Sequence, residues 1–435
     1  MSDAAEPRRR GGLWHHLDFR RLWIGETVSQ FGSQVTMIAL PLVAILVVHA
    51  STFEVGVLSA CESAAFLIVG LPAGAWVDRM RFRLVLIVND VVRVAAIGSI
   101  PLADAFGALT IEQLYVVALV TGVATVFFDV AYQSYLPDLV ERDDIVEGNA
   151  KLQASESVSQ IAGPTVGGLL ISAITAPYAL LVDALSFLWS AAWVASIRTR
   201  PPKRERAPDR HLGREMKEGL AFVLGNRYLR SIAMCTGSFN LLSSAAFAVI
   251  YVLLARDLRL PAGFIGLLFS VSSVGGLLGA LVATRVAARL GQGPAIWMSV
   301  LVTVPTGFVA PFVQRNWSLA LLAAALFLMF GSGVVYNITQ VSFRQGLTPP
   351  RLLGRMNATM RFLVWGTMPI GALLGGTLGT AIGVRDTLLV VAIGGTVPLL
   401  PVFFSPLRTA RELPHYDDGV SDVETQNSPV ESPIP

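Results

Sequence analysis

Residues 317 to 337 read WSLALLAAALFLMFGSGVVYN, a stretch with no charged residue and with apolar side chains on nearly every face of a helix. A helix needs about 20 such residues to cross the roughly 30 Å hydrocarbon core of a bilayer. Only 14% of the 435 residues are charged, well below the proportion of about a quarter that is usual in soluble domains. The strands of a barrel would alternate apolar and polar residues, so the pattern predicts membrane-spanning helices.

Similar runs recur along the chain and predict an all-α membrane protein with twelve transmembrane helices. The predicted spans cover residues 22–48, 55–77, 84–103, 111–134, 153–174, 178–197, 230–254, 262–286, 294–313, 317–337, 359–382 and 386–405. The basic start at Arg8, Arg9 and Arg10 leads into the first span without a small-residue cleavage pattern, so this span is expected to be retained.

A long polar interruption divides the spans into two sets of six. The predicted segments are a cytoplasmic N-terminal segment 1–21, a bundle 22–197, a linker 198–229, a bundle 230–405 and a tail 406–435. In the linker, apolar residues about one turn apart favour an amphipathic helix from Leu212 to Leu229, although an ordinary solvated linker fits as well. The acidic, polar tail and residues 1–10 are predicted to be disordered.

The two bundles are related by an internal repeat at an offset of 208 residues. At this offset Asn149-Ala150 corresponds to Asn357-Ala358, Gly163 to Gly371, and Gly167-Gly168 to Gly375-Gly376. Because six spans form the unit, both copies enter the membrane from the same side, which predicts a parallel repeat about an axis along the membrane normal. Chance matches in a small apolar alphabet are the alternative.

The distribution of basic residues predicts the orientation in the membrane. With both termini in the cytoplasm, 28 of the 33 Lys and Arg residues lie on the inner side, and the outer loops hold Arg256, Arg259, Arg315 and Arg385. Arg93 lies deep within span 3. Since cytoplasmic segments are rich in Lys and Arg, the N- and C-termini are predicted to be cytoplasmic.

Two motifs lie on or next to spans 2 and 5. Residues 74–83 read GAWVDRMRFR and carry the motif residues Gly74, Asp78, Arg79 and Arg83. Residues 163–168 read GPTVGG and carry the motif residues Gly163, Pro164, Gly167 and Gly168. The glycines allow a neighbouring backbone to approach closely, and the proline removes one hydrogen bond of the helix.

The first motif resembles the signature loop of the major facilitator superfamily, although Arg81 stands where a second glycine is usual and Phe82 where a basic residue is usual. The second resembles the antiporter motif of its drug:proton exchangers, with Ser159 in place of the leading glycine. Residues 135–140, 149–150, 345–349 and 353–358 resemble the branch that includes macrolide efflux proteins and the enterobactin exporter. The resemblance implies the major facilitator fold, two six-helix bundles around a central cavity.

It also implies that spans 1, 4, 7 and 10 line this cavity, and each carries polar residues three or four positions apart, which on span 1 are Glu26, Ser29, Gln30, Ser33 and Thr36. The cavity candidates, to which Trp365 of span 11 is added, are Gln30, Ser33, Thr125, Asn240, Tyr336, Gln340 and Trp365. The alternative for any single Ser or Thr is a hydrogen bond within its own helix or simple packing between helices.

Ionisable residues inside a membrane are costly, so each requires a partner, water or a function. The proton-coupling candidates all lie in the first half, and they are Asp129, Glu26, Glu62, Asp90 and Arg93. Asp129 is the first choice because it lies on the predicted cavity stripe; a water-filled inner end of span 4 is its alternative. Asp90 and Arg93, three residues apart, also fit a structural ion pair.

The family pattern implies that Asp78 and Arg79 form a gate latch that meets span 11, where Arg361 offers a cation; a plain surface turn is the alternative. No catalytic constellation, nucleotide loop, metal spacing or cofactor motif is recognised in the sequence. Cys61 and Cys235 have no assigned role.

The sequence therefore predicts a non-enzymatic secondary transporter in a bacterial plasma membrane, working as a monomer by alternating access, with protons and a small-molecule substrate as partners and no nucleic acid. Proton-coupled efflux of amphipathic antibiotic-like or siderophore-like compounds is favoured. An importer of a polar metabolite, such as a sugar or an organic acid, is the main alternative, and a receptor or scaffold without transport is a third.

Overall fold

The computed structural model describes residues 12–77, 79–141, 144–199 and 212–412, which are helical with no strand. Twelve helical segments in this part are long and apolar enough to cross a membrane, which confirms the predicted number of spans. In order, spans 1 to 12 are Leu17–Leu46, Thr52–Val77, Phe82–Ala105, Ile111–Leu139, Ile145–Ile174, Ala176–Ala195, Arg227–Asp257, Ala262–Leu290, Gln292–Phe312, Ser318–Leu347, Pro350–Ala381 and Val384–Phe403.

Several helices extend beyond their apolar runs, because hydropathy marks the hydrocarbon layer and not the end of the helix. Span 1 begins at Leu17, five residues before the predicted start, and the His16 side chain accepts a hydrogen bond from the Phe19 amide as its cap. Asp18 forms an ion pair with Arg21 at 2.7 Å and accepts hydrogen bonds from Thr199 after span 6. Local polar contacts thus continue the helix outside the apolar layer.

The linker contains a helix, as expected, but it ends at Gly225 and not at Leu229. Asn226 interrupts it and caps span 7, its side chain accepting hydrogen bonds from the amides of Tyr228 and Leu229. Asparagine is favoured at such a capping position because its short side chain reaches the free amides in the first turn of the helix. The last predicted turn of the linker helix, residues 227–229, therefore belongs to span 7.

The linker helix packs against the beginning of span 11. Glu218 pairs with Arg355 at 2.7 Å, and Val223 is fully buried. Gly219 lies so close to Arg355 and Thr359 that a Cβ atom there would approach them to under 3.0 Å. The helix is thus attached to the second bundle, while the N-terminal segment 1–10 and the tail after residue 412 lie outside the described residues.

Both bundles begin and end on the side where the linker lies, which we call the linker side; the opposite end is the far side. The halves meet along two seams, one between spans 5 and 8 and the other between spans 2 and 11. A Cβ atom on Gly168 would lie under 3.0 Å from the Ala262 carbonyl oxygen, and one on Gly56 would lie under 3.0 Å from Gly376. Backbones therefore touch at the far side.

The seams are related by the internal repeat. Gly163 and Gly167 of span 5 pack on span 1, and Gly371 and Gly375 of span 11 pack in the same way on span 7. In each half the glycine that follows, Gly168 or Gly376, contacts the opposite bundle. The correspondence at 208 residues is therefore a structural repeat and not a chance match.

Hydrogen bonds between the halves also lie at the far side. Ser270 of span 8 bonds the Thr165 hydroxyl at 2.7 Å, and Ser172 accepts from the Gly263 amide at 3.1 Å. Arg256 donates to the carbonyl oxygen of Ala50.

Toward the linker side the halves separate. Phe66 of span 2 meets Trp365 of span 11 edge-on at 4.8 Å near the middle of the helices. Beyond it, Gly70 and Gly74 have no atom within 4 Å of the place where a Cβ would lie. The central cavity is closed at the far side and opens toward the linker side.

Candidate transport site

Arg93 lies at the centre of a buried ionisable cluster in the first bundle. It pairs with Asp90, one turn earlier on span 3, at 2.5 Å; the two residues are 5% and 0% exposed. The guanidinium lies between two aromatic rings, 4.3 Å from the centroid of Phe128 on span 4 and 4.1 Å from that of Phe187 on span 6. Cation–π contacts of this kind are strongest where water is excluded, so the site holds one cation firmly.

Asp183 of span 6 is the second buried acid, and it is 0% exposed. It accepts hydrogen bonds from the hydroxyls of Thr36 on span 1 and, at 3.0 Å, of Ser186. Gly32 makes room for the carboxyl group, because a Cβ at that position would collide with both Asp183 and Ser186. Thr36, and Ser29 on the same side of span 1, thus face span 6 and not the cavity stripe that sequence spacing suggested.

Glu26 and Gln30 lie on the cavity side of span 1. Gln30 donates a hydrogen bond to Glu26 at 3.1 Å, while the second oxygen of Glu26 and the amide oxygen of Gln30 are buried without a protein partner. The hydroxyl of Tyr132 on span 4 is also buried without a protein partner. Buried polar atoms of this kind are costly unless they are satisfied, so this wall is suited to a proton or a hydrogen-bonding ligand.

Asp129 of span 4 is exposed to the central cavity, and no hydrogen bond or ion pair to it is found among the described residues. Arg361 of span 11, in the opposite half, lies within electrostatic range of its carboxylate. At the repeat offset Asp129 corresponds to Asn337 on span 10, which is exposed as well. The polar spacing on span 10 predicted Tyr336 and Gln340 as cavity residues. The repeat offset applied to Asp129 would have identified Asn337 as a candidate instead.

The cluster contains more carboxylates than cations. Arg93 interacts electrostatically with Glu26, Asp129 and Asp183 in addition to its partner Asp90. One guanidinium balances one carboxylate, so the remaining acids need a bound proton, another cation or cavity water. No group of three or more His, Cys, Asp or Glu side chains in the described residues has the geometry to bind a metal ion.

Glu62 lies apart from this cluster, on span 2. It is half-buried and interacts electrostatically with Tyr251 of span 7, across the interface between the halves. Ser33 and Thr125 are half-buried on spans 1 and 4. The structure thus brings four of the five coupling candidates together and leaves Glu62 at the seam.

The candidates in the second bundle are mostly occupied by contacts with their own bundle. Asn240 donates to the carbonyl oxygen of Val364 at 2.9 Å, and Tyr336 bonds Thr236 at 2.6 Å. Tyr336 and Gln340 are only 8% and 2% exposed, so neither lines the open cavity in this conformation. Trp365 reaches the seam through its contact with span 2.

Of the predicted gating loop, Asp78 lies outside the described residues. Arg79 is exposed and makes polar or electrostatic contacts, and Arg83 donates to the carbonyl oxygen of Ala195, which joins the start of span 3 to the end of span 6. Gly74 faces open space.

Two pseudo-symmetric six-helix bundles around a polar cavity that is closed at one end define a secondary transporter. The chain belongs to the transmembrane secretion effector family of the major facilitator superfamily, whose family model matches residues 14–426. Membership and the twelve apolar spans make it a multi-pass protein of the plasma membrane.

Its relatives include exporters. The multidrug efflux pump Tap of Mycolicibacterium fortuitum is 25% identical over 379 residues, which cover 83% of this chain and 89% of that protein. The enterobactin exporter EntS of Citrobacter koseri is 23% identical, with 93% and 96% covered.

Similar solved structures include a bacterial homologue of the iron transporter ferroportin in an inward-facing state. Its TM-score is 0.73 at 14% identity, with 89% of this chain and 98% of that chain covered. The nucleoside transporter NupG gives 0.71 at 13% identity, with the same coverage of both chains. These two similarities concern the fold alone.

Proposed function

We propose that this protein exports amphipathic small molecules in exchange for protons. The observation that carries the proposal is the cluster of Glu26, Asp90, Asp129 and Asp183 around one guanidinium in the first bundle. An excess of carboxylates beside a cavity suits reversible proton binding, because a proton neutralises an intramembrane charge at low cost. The names of Tap and EntS, a multidrug pump and a siderophore exporter, support export as the direction.

The coupling step is assigned to Asp129 and Arg361. When Asp129 is ionised, its attraction to Arg361 draws the two halves together at the linker side and favours the conformation that opens at the far side. A proton arriving from the far side cancels this attraction and restores the conformation seen here. The exchange requires that substrate entering from the linker side displaces the proton to that side and shifts the equilibrium toward the other conformation, where the substrate leaves and the next proton binds.

Replacing Asp129 with asparagine is expected to reduce substrate-induced proton movement by at least about tenfold, the equivalent of 1.4 kcal/mol of coupling free energy. The measurement uses inside-out vesicles and a panel of antibiotics, siderophores and sugars. Glu112→Gln is the matched control, since it removes an exposed carboxylate from the first turn of the same span.

A response in Asp129→Asn equal to that of the native protein would remove Asp129 from this role. Proton movement driven by sugars alone would support the alternative, an importer of polar metabolites. Arg361→Gln is expected to reproduce the defect, and the double variant is expected to be no worse than either single one, because both act on one interaction.

The proposal also places the linker side in the cytoplasm. A reporter that is active only in the cytoplasm is expected to be active when fused after residue 412 or within residues 200–211, and inactive when inserted at the far-side loop around Arg315. The opposite pattern would reverse the direction of transport.

A further inference from the structure

The second bundle contains a partly open apolar cavity of about 120 Å³. It lies between spans 7, 9, 10 and 12, with Phe269 of span 8 also at its wall, and the side chains that line it are almost all apolar. Protein interiors rarely leave a void much larger than a water molecule, so an opening of this size requires an explanation. Its lining includes Thr303 and Gly307 of span 9 and Val391 and Gly395 of span 12.

The first bundle fills the equivalent place with the Arg93 cluster. At the offset of 208 residues, Asp183 and Phe187 of span 6 correspond to Val391 and Gly395 of span 12. Phe187 covers the guanidinium of Arg93, whereas Gly395 has no side chain to occupy that volume. Loss of the ring and of the carboxyl group opens space in the second bundle.

Span 9 contributes the other replacement. Spans 3 and 9 begin after Arg81 and Gly291, an offset of 210, and their buried residues Val85, Leu86 and Pro101 correspond to Ala295, Ile296 and Pro311. Arg93 thus corresponds to Thr303, and Ile97 to Gly307, both of which line the cavity. Three large side chains of the first bundle, those of Arg93, Ile97 and Phe187, are replaced by smaller ones.

Ser243 and Phe247 of span 7 and Met329 of span 10 also line the cavity. Phe247 is partly exposed and stacks on Phe269. Tyr251, one turn further on the same face, donates a hydrogen bond to the carbonyl oxygen of Met37 in the first bundle, at 3.4 Å. This face of span 7 is therefore directed at the other half and the central cavity.

We propose that the cavity receives an aromatic ring or a short alkyl group of the transported molecule while its polar part remains in the central cavity near Glu26 and Asp129. The proposal rests on the export function proposed above. An engineered apolar cavity of about 150 Å³ in another protein binds benzene, so the volume here suits one ring or a few methylene groups. At equivalent places of the repeat, the first bundle thus holds a charged cluster and the second bundle a site for apolar groups.

Two measurements test the proposal. The first is benzene binding to the purified protein, detected by NMR of the labelled ligand, and the second is transport in vesicles. Gly395→Phe restores the side chain that the first bundle carries at this position, and a Cβ at Gly395 meets only its own helix. This variant is expected to lose benzene binding and to export ring-bearing compounds of the panel with KM raised at least about tenfold, the equivalent of 1.4 kcal/mol. Thr303→Leu narrows the cavity with a smaller change, and the exposed Ile393→Phe on the same helix is the matched control.

Absence of benzene binding to the native protein would overturn the proposal, whether or not the protein exports the compounds of the panel. Benzene binding with unaltered export of ring-bearing compounds by Gly395→Phe would also overturn it, and is the result expected if a lipid chain occupies the cavity. Export that is independent of the proton gradient would instead contradict the proposed exchange and leave the benzene result standing.

Discussion

Replacing Arg93 with methionine is expected to abolish export and to destabilise the protein by about 3–5 kcal/mol, the usual cost of removing one partner from a buried ion pair. Methionine keeps an unbranched apolar stem but lacks the guanidinium, so the charge and its contacts with the two rings are lost. Asp90, which is fully buried, would lose its cation, and the rings of Phe128 and Phe187 would lose theirs. The measurements are thermal unfolding of the detergent-solubilised protein and vesicle transport.

Two variants separate stability from transport. Asp90→Asn combined with Arg93→Met removes both charges and is expected to recover most of the stability but not the export, because the first bundle no longer supplies a cation to Glu26, Asp129 and Asp183. Arg315→Met, at an exposed far-side position, is expected to behave like the native protein. Export by Arg93→Met at the native rate would show that the cluster has only a structural role.

The second large effect is expected at the far-side seam. Gly168→Val would push a side chain into the backbone of Ala262 and Gly263 in the opposite half, where atoms already touch. Overpacking costs about 1–3 kcal/mol, and a penalty of about 2.8 kcal/mol borne only by the conformation closed at the far side shifts the equilibrium about 100-fold toward the other one. Export is expected to fall by a similar factor, since alternating access needs both conformations.

The shift can be measured by the accessibility of a cysteine at position 30, introduced after Cys61 and Cys235 have been replaced by serine. A membrane-impermeant thiol reagent applied from the far side is expected to react faster in Gly168→Val than in the parent. Gly98→Val is the matched control, because Cβ at Gly98 meets only the Ala184 side chain at 4.0 Å. Equal reactivity in all three proteins would show that the seam does not control closure.

Much of the fold could be predicted from local sequence. Spans were recognisable because a helix crossing hydrocarbon needs an uninterrupted apolar run, and the glycines of span 5 indicated a close backbone approach. The ends of span 1 and of the linker helix were placed less well, because His16, Asp18 and Asn226 define them through hydrogen bonds that hydropathy does not report.

The candidate site was predictable only in part. Asp90 and Arg93 are three residues apart on one helix, so their pairing follows from helical geometry. Ser29 and Thr36 were misassigned to the cavity, since polar spacing identifies a face of a helix but not the neighbour that this face meets.

The sequence alone determined twelve spans, the parallel repeat at 208 residues and the concentration of ionisable residues in the first bundle, because these follow from composition and order along the chain. Only the tertiary structure decided that four carboxylates share one guanidinium and that the equivalent place in the second bundle is an apolar cavity. The physical reason is that both features depend on which side chains of separate helices meet, and tight packing between helices settles that.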